Sequence, residues 1–227
     1  MTTEATLTTT TMAGLHDFVV ETVFQRLESR GGKAVDLGAG SGLFAKRMKE
    51  LGWNAMGADK NVDAFKAALP FQEIDLNDRE FSKQLGECCF TMVAGIEVIE
   101  HVEAPINLLR NARRLLKPGG RIVLTTPNVD SVPARLKFLL TEKIRMMDEV
   151  SEPTHVSPVF WDLLRRKFVP AADLEIEQHY LYPPDSFIAT RPRYAWIVKT
   201  LSPFVGGECK LGDNHVLVLR ARTNGHV

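Results

Sequence analysis

Five short apolar runs, most of them followed by a stretch of helical character, constrain this 227-residue chain more than any other feature. The runs are "KAVDLGAG", "WNAMGADK", "FQEIDLND", "CFTMVAGI" and "RIVLTTPN". Among the intervening stretches, "SGLFAKRMKELG" places Phe44, Met48 and Leu51 on one face, and "DREFSKQLG" and "APINLLRNARRLLKPGG" also read as helices. Parallel strands cannot be joined by a tight turn, and a helix is the usual crossover between them. The alternation therefore predicts a doubly wound, mainly parallel sheet with helices on both faces.

A leading helix, "GLHDFVVETVFQRLES", spaces Leu15, Val19, Val23 and Leu27 four apart. Lys117, Pro118, Gly119 and Gly120 carry the chemistry of a helix stop and turn. Beyond about residue 128 the alternation loosens into helical cover with loops, and "DLEIEQHYLY" and "DNHVLVLRAR" read as two late strands. No internal repeat or second domain is evident. The expectation is a flexible threonine-rich arm over 1–12 and one domain over 13–227, with cover for a binding site from about 128–170 and 183–207. A hydrophobic content of 44% suffices for one substantial core.

Lys plus Arg number 28 and so do Asp plus Glu, which removes the global field that gathers nucleic acid or anionic membrane by charge alone. The three cysteines include the neighbours Cys88 and Cys89 and show no C-x-x-C spacing, so they form neither a disulfide framework nor a zinc motif. "MTTEATLTTTT" has no basic or apolar leader region, and no run approaches the ~18 apolar residues of a membrane span. These features predict a cytoplasmic protein.

"VDLGAGSG", Val35 to Gly42, lies where a strand gives way to a helix. Glycines there let the backbone turn tightly and approach a ligand, and the helix N-terminus offers unpaired N–H groups to it. A dinucleotide loop of the G-x-G-x-x-G type wants its last glycine at the position of Leu43, and the third glycine here is Gly42, one place early. Asp36 would repel a pyrophosphate but suits an ammonium. Asp59, about twenty residues after the loop, is placed to accept ribose hydroxyls. Asp75 in "IDLND" repeats the pattern, an acceptor for an adenine amino group with Leu76 against the ring. The implied ligand has an adenine, a ribose and a zwitterionic tail.

"GIEVIEHVEAP" follows the fourth run, at the sheet end where ligands of open parallel sheets bind. Read as a helix, it brings Glu97 towards Glu100 and His101. Three readings stay open. The glutamates complement a helix dipole; or Glu97 faces the cofactor and His101, ordinarily titrating at about 6.5, is a general base; or two carboxylates and a histidine hold a divalent metal. His155 in "SEPTHVSPVFW" is a candidate to face an acceptor, against an ordinary loop role. Arg135, Lys137, Lys143 and Arg145 read as a solvated helix face rather than an anion site. "RYAWIVKTLSPFVGG" mixes Tyr194, Trp196, Ile197 and Leu201 with basic residues, which suits a covering helix, a subunit contact or a peripheral membrane contact over 192–206.

Taken together, "VDLGAGSG", "GADK", "IDLN" and "LLKPGGRIVLTTPN" resemble the motifs of the class I S-adenosylmethionine-dependent methyltransferases over about residues 33 to 127. The resemblance implies a Rossmann-like seven-stranded sheet whose last strand, "DNHVLVLRAR", runs antiparallel. It implies Asp36, Gly38, Ala39, Gly40 and Gly42 at the methionine end of S-adenosyl-L-methionine, Asp59 and Lys60 at the ribose, Asp75 and Leu76 at the adenine, and Gly95 and Glu97 on the cofactor side. "EVIEHV" resembles the ubiquinone-biosynthesis O-methyltransferases, and E-x-x-E-H also resembles the metal motif of small-RNA 2′-O-methyltransferases, for which His155 would be the further histidine.

The function expected on this basis is methyl transfer to oxygen of a small-molecule, quinone-like or glycan acceptor, with His101, Glu100 and His155 as candidate catalytic residues. Neither a bound metal nor a nucleic-acid partner is favoured. A nucleotide-cofactor oxidoreductase, a non-catalytic cofactor-binding scaffold and a metal-dependent RNA 2′-O-methyltransferase are the alternatives.

Overall fold

The structure, a computed structural model, describes residues 11–26, 31–148, 153–184, 186–188 and 192–222. Most of the 1–12 arm, Leu27 of the first helix and the side chain of Tyr194 lie outside the described residues.

Seven strands form one sheet: β1 (Lys33–Leu37), β2 (Asn54–Asp59), β3 (Phe71–Glu73), β4 (Phe90–Gly95), β5 (Leu116–Pro127), β6 (Leu174–Tyr182) and β7 (Asn214–Ala221). Their order is β3-β2-β1-β4-β5-β7-β6. The first five pair in parallel, and β7 runs antiparallel to both β5 and β6. The fold class and the antiparallel last strand are therefore as the alternation and the resemblance implied. All residues of β4 are buried, as a central parallel strand covered on both faces must be. The third strand is shorter than its apolar run, because the Asp75 carboxylate accepts from the N–H of Asn77 and turns the chain out of the sheet.

Helices cover both faces: α1 (Leu15–Thr22), α2 (Leu43–Glu50), α3 (Phe81–Leu85), α4 (Pro105–Leu115), α5 (Val132–Thr141), α6 (Trp161–Leu163), α7 (Val169–Ala171) and α8 (Pro192–Leu201). A π-helical stretch, Leu164–Phe168, joins α6 to α7. Pro105 opens α4, where its missing N–H costs nothing. Its inner face buries Leu108, Leu109, Ala112 and Leu115 with Trp161 and Leu164 on one side of the sheet. Each leucine of that set contributes roughly 1.5–3 kcal/mol of burial. On the opposite side Leu15 and Val19 of α1 pack with Phe44 and Met48 of α2 and with Trp53. α1 is also tied to the far edge, where the Tyr182 hydroxyl donates to the Ala13 carbonyl at 2.7 Å.

Two local expectations are corrected. The fourth helix stops at Leu115, and Leu116 already pairs with Phe90. The next register pair is Met92 with Arg121, so Lys117 to Gly120 bulge out of the ladder with Gly119 at φ 78°. "GIEVIEHVEAP" is not one helix either. Glu97 has φ 51°, Ile99–His101 is a single 3-10 turn, and α4 begins only at Pro105. The left-handed backbone at Glu97 sends its side chain away from Glu100 and His101.

Candidate active site

The carboxyl ends of β1, β2 and β4 open into a cavity of about 1730 Å³. The glycine loop forms its floor. Gly38, Gly40 and Gly42 have φ of 70°, 50° and 83°, a region that side-chain-bearing residues occupy only with strain. They differ in surroundings. A Cβ on Gly38 would lie 2.5 Å from Cγ2 of Val98, whereas one on Gly40 meets nothing within 4 Å. Gly38→Ala is therefore expected to destabilise the fold by about 1–3 kcal/mol, and Gly40→Ala by only the backbone term of about 1 kcal/mol. Denaturant midpoints of the two variants measure the difference.

Around the loop the acidic residues take distinct states. Asp59 accepts from the Gly40 N–H through Oδ2 and from the Asn61 N–H through Oδ1, both at 2.9 Å, so it shapes the loop as well as lining the cavity. Asp36 is 2% exposed. Burial pushes its carboxyl up to about 8, with the nearby Asp59 charge adding and the Ala45 N–H opposing. It is a largely neutral acid at pH 7 until a cation arrives. Lys60, Asp75, Leu76 and Asn77 continue the wall on the β2–β3 side, Asp75 exposed and Leu76 buried.

Glu97 lines the same cavity from a strained backbone position that long-range contacts hold. Its N–H donates to Thr125 Oγ1 at 2.8 Å, and its carboxylate accepts from Asn214 Nδ2 at 2.8 Å and from the Met12 N–H at 3.1 Å. Three sequence candidates come together beyond it. Ligand atoms of Glu100, His101 and His155 lie within 4.8 Å of one another. The two imidazoles meet edge to face, with centroids 4.5 Å apart.

His101 Nδ1 is 3.2 Å from the Thr154 carbonyl, which only accepts, so Nδ1 is the donor of that pair. His155 is oriented in the same way by the Met146 carbonyl, at 2.5 Å from Nδ1. Its Nε2 stands 3.9 Å from Oε1 of Glu100, an ion-pair separation rather than a hydrogen bond. Glu100 is buried behind the histidines, and its carbonyl accepts from the N–H groups of Val156 and Ser157, fixing the loop that carries His155.

Not every sequence candidate reaches the cavity surface. Glu100, Gly42 and Gly95 are not among the lining residues: Gly42 packs under Phe65 and Ala67, and Gly95 under Val98 and Leu124. Other lining residues escaped the sequence reading. Thr11, Met12 and His16 close the cavity from the N-terminal side, and burial, with Arg47 adding, lowers the His16 imidazole to about 4. The only signal was a histidine beside Leu15 in an amphipathic helix.

The cavity is also walled by Pro133, Leu136 and Leu140 of α5 and by Ile197, Val198 and Leu201 of α8. Arg145 also faces it, 7% exposed and paired with the fully buried Asp213 at 2.6 Å. The solvated-face reading of the basic residues therefore fails at Arg145. Lys137 pairs with Asp148, Arg135 donates to the Asp130 and Gly206 carbonyls, and Lys143 is exposed.

Residues 13–185 match a family model described as a methyltransferase domain. The chain belongs to this methyltransferase family. The methyltransferase is 35% identical over 106 residues to the ubiquinone biosynthesis O-methyltransferase of Roseobacter denitrificans, a stretch covering 44% of this chain and 42% of that one. It is 31% identical over 136 residues to the mitochondrial ubiquinone biosynthesis O-methyltransferase of Schizosaccharomyces pombe, covering 56% and 50% respectively. The chain thus spans about half the length of the curated relatives it matches.

Among solved structures, the methyltransferase is similar in fold to a SAM dependent methyltransferase from Archaeoglobus fulgidus, with TM-score 0.60, 18% identity and coverage of 90% and 93%. An S-adenosylmethionine dependent methyltransferase from Mesorhizobium loti gives TM-score 0.59, 16% identity and coverage of 91% and 98%.

Proposed function

We propose that this methyltransferase uses S-adenosylmethionine to methylate a hydroxyl oxygen of a small apolar acceptor of the quinone-like, phenolic class. The observation that carries the reading is His101, a histidine oriented through Nδ1 by the Thr154 carbonyl and lining the same cavity as Asp36, Asp59, Asp75 and Leu76. The donor set fits the cofactor. Asp36 suits the ammonium, Asp59 and Lys60 the ribose, and Asp75 with Leu76 the adenine, while Gly40 leaves open space for close approach. When bound, the cofactor supplies an electrophilic methyl on a sulfonium.

The chain's own residues then align the acceptor and remove its proton. Methyl transfer is an in-line displacement, so positioning carries most of the rate, and a base is needed because a neutral hydroxyl is a weak nucleophile. His101 takes the hydroxyl proton on Nε2. His155 packs against it and keeps its ring in place. The apolar faces of α5 and α8 offer an apolar surface to the acceptor. Phe138, Leu139, Leu140, Trp196 and Phe204 stay exposed on or beside these helices, an apolar approach that suits a hydrophobic acceptor or a peripheral membrane contact.

A calorimetric titration checks the cofactor: S-adenosylmethionine is expected to bind one per chain, and NAD to show no heat of binding. Tight NAD binding without S-adenosylmethionine binding would sink the reading in favour of an oxidoreductase. The Glu100, His101 and His155 constellation supports a second reading, in which a divalent ion organises the acceptor oxygen. The base reading expects turnover of a catechol acceptor, followed by mass spectrometry, to survive strong chelation. Loss of turnover with EDTA and recovery with manganese(II), an ion that a carboxylate and imidazole set takes up and a thiolate set does not, would favour the metal.

A further inference from the structure

The antiparallel edge of the sheet carries a second cluster of metal-ligating side chains, none of which lines the cavity described above. His179 of β6 and His215 of β7 are diagonal neighbours across the strand pair, His179 standing opposite Leu217 and Leu181 opposite His215. Nε2 of His179 is 3.0 Å from Nδ1 of His215. Cys209, just before β7, completes a set in which one ligand atom from each residue lies within 4.8 Å of the others.

Trp161 roofs the set, stacked on His179 with centroids 4.0 Å apart and on His215 at 5.3 Å. His215 is fully buried and Cys209 is 2% exposed.

The chemistry of the donors narrows the ligand. Two imidazoles and a thiol form a borderline-soft set that suits zinc and its neighbours and does not suit magnesium or calcium. A tetrahedral ion with nitrogen ligands at about 2.0–2.1 Å holds them about 3.4 Å apart, so a shift of a few tenths of an ångström opens the His179–His215 pair to admit one. Next in the chain to Cys209 is Glu208, whose Oε2 accepts from the Trp161 indole N–H at 3.1 Å. Its negative charge with that of a thiolate balances a dication.

We propose that His179, Cys209 and His215 bind one zinc-class transition-metal ion, with the Glu208 carboxylate or a water in the fourth position. Coordination sends the Cys209 thiol proton to solvent and forms no other bond. The ion fixes the segment from Cys209 to His215, and that segment carries two contacts to the cavity wall. Asp213 pairs with Arg145, and Asn214 holds Glu97. The site is a structural brace for the acceptor side, apart from the Glu100, His101 and His155 constellation.

The full-length chain, stripped by chelation and titrated with cobalt(II), tests this through the thiolate-to-cobalt charge-transfer absorption. One cobalt per chain with that band, displaced by zinc, is expected. Cys209→Ser should abolish the band, and His179→Gln should weaken zinc binding on the order of 100-fold. Circular dichroism would check that both variants fold, and each should lose the rise in Tm that zinc gives the wild-type chain. The exposed pair is controlled by Cys88→Ser with Cys89→Ser, which should keep the band. The proposal is overturned if the wild-type chain shows no band, if the band follows Cys88 and Cys89, or if the ion is lost on His155→Gln but not on Cys209→Ser.

Discussion

Replacing His101 with alanine should lower methyl-transfer turnover on the order of 10²–10⁴-fold while S-adenosylmethionine affinity stays within about twofold, the range that loss of a general base produces. The expectation rests on where the proton sits. The Thr154 carbonyl accepts from Nδ1, so on the proposed reading Nε2 is the atom that takes the acceptor proton, in a cavity that Asp36, Asp59 and Asp75 also line. His101→Gln should be nearly as slow, because an amide keeps hydrogen bonds but has no useful basicity. Single-turnover rates with saturating cofactor and a catechol probe, alongside calorimetric cofactor affinity, separate chemistry from binding. A variant with wild-type turnover would remove His101 from proton transfer. Turnover at pH 9 that recovered the lost rate through acceptor ionisation would support the base role.

The second large effect concerns Asp36. Its folded carboxyl sits at about 8 because burial disfavours the charge, whereas an unfolded aspartate titrates near 3.9. The folded state therefore binds more protons between these values, and the stability this group contributes is present below pH ~4 and lost as pH rises towards ~8. Across that window the loss is on the order of 5 kcal/mol in the ligand-free chain. Asp36→Asn, which stays neutral, should flatten this dependence in denaturant unfolding measured from pH 5 to pH 8.

Binding should reverse the preference. A cofactor ammonium stabilises the carboxylate, so S-adenosylmethionine should release about one proton at pH 7 and bind more tightly as pH rises towards 8. Calorimetry in two buffers of different ionisation enthalpy counts that proton. Asp36→Asn should bind the cofactor about 10–100-fold more weakly, as expected for losing a charged hydrogen-bond partner. Unchanged affinity with no proton release would show that Asp36 only supports the loop.

The sheet and the floor of the site were legible in the sequence because both are written locally. The glycine spacing, the Asp59 that follows it and the alternation of runs each involve residues close in the chain, and helical crossovers between the runs make the first five strands parallel. The walls were not legible. Glu97 looks like a helix start until Thr125, Asn214 and Met12, all distant in sequence, hold it at φ 51°. Arg145 looks like one more surface base until Asp213, 68 residues away, draws it into the interior. His16 reads as helix filler, because nothing near it shows that the helix will lean over the glycine loop. Where a residue's role depends on one partner far along the chain, periodicity and spacing carry no trace of it.

The carboxylate of Glu97 accepts from Met12 on one side and from Asn214 on the other, so a single side chain joins an early segment to the last strand. During synthesis the glycine loop, Asp59 and Asp75 leave the ribosome well before Asn214. A nascent chain therefore has the glycine-loop side of the cavity long before Glu97 acquires its second anchor. Two stages in building the cavity are thereby separated in time, and a chain stalled short of β7 would have its glycine loop without the Asn214 anchor that holds Glu97.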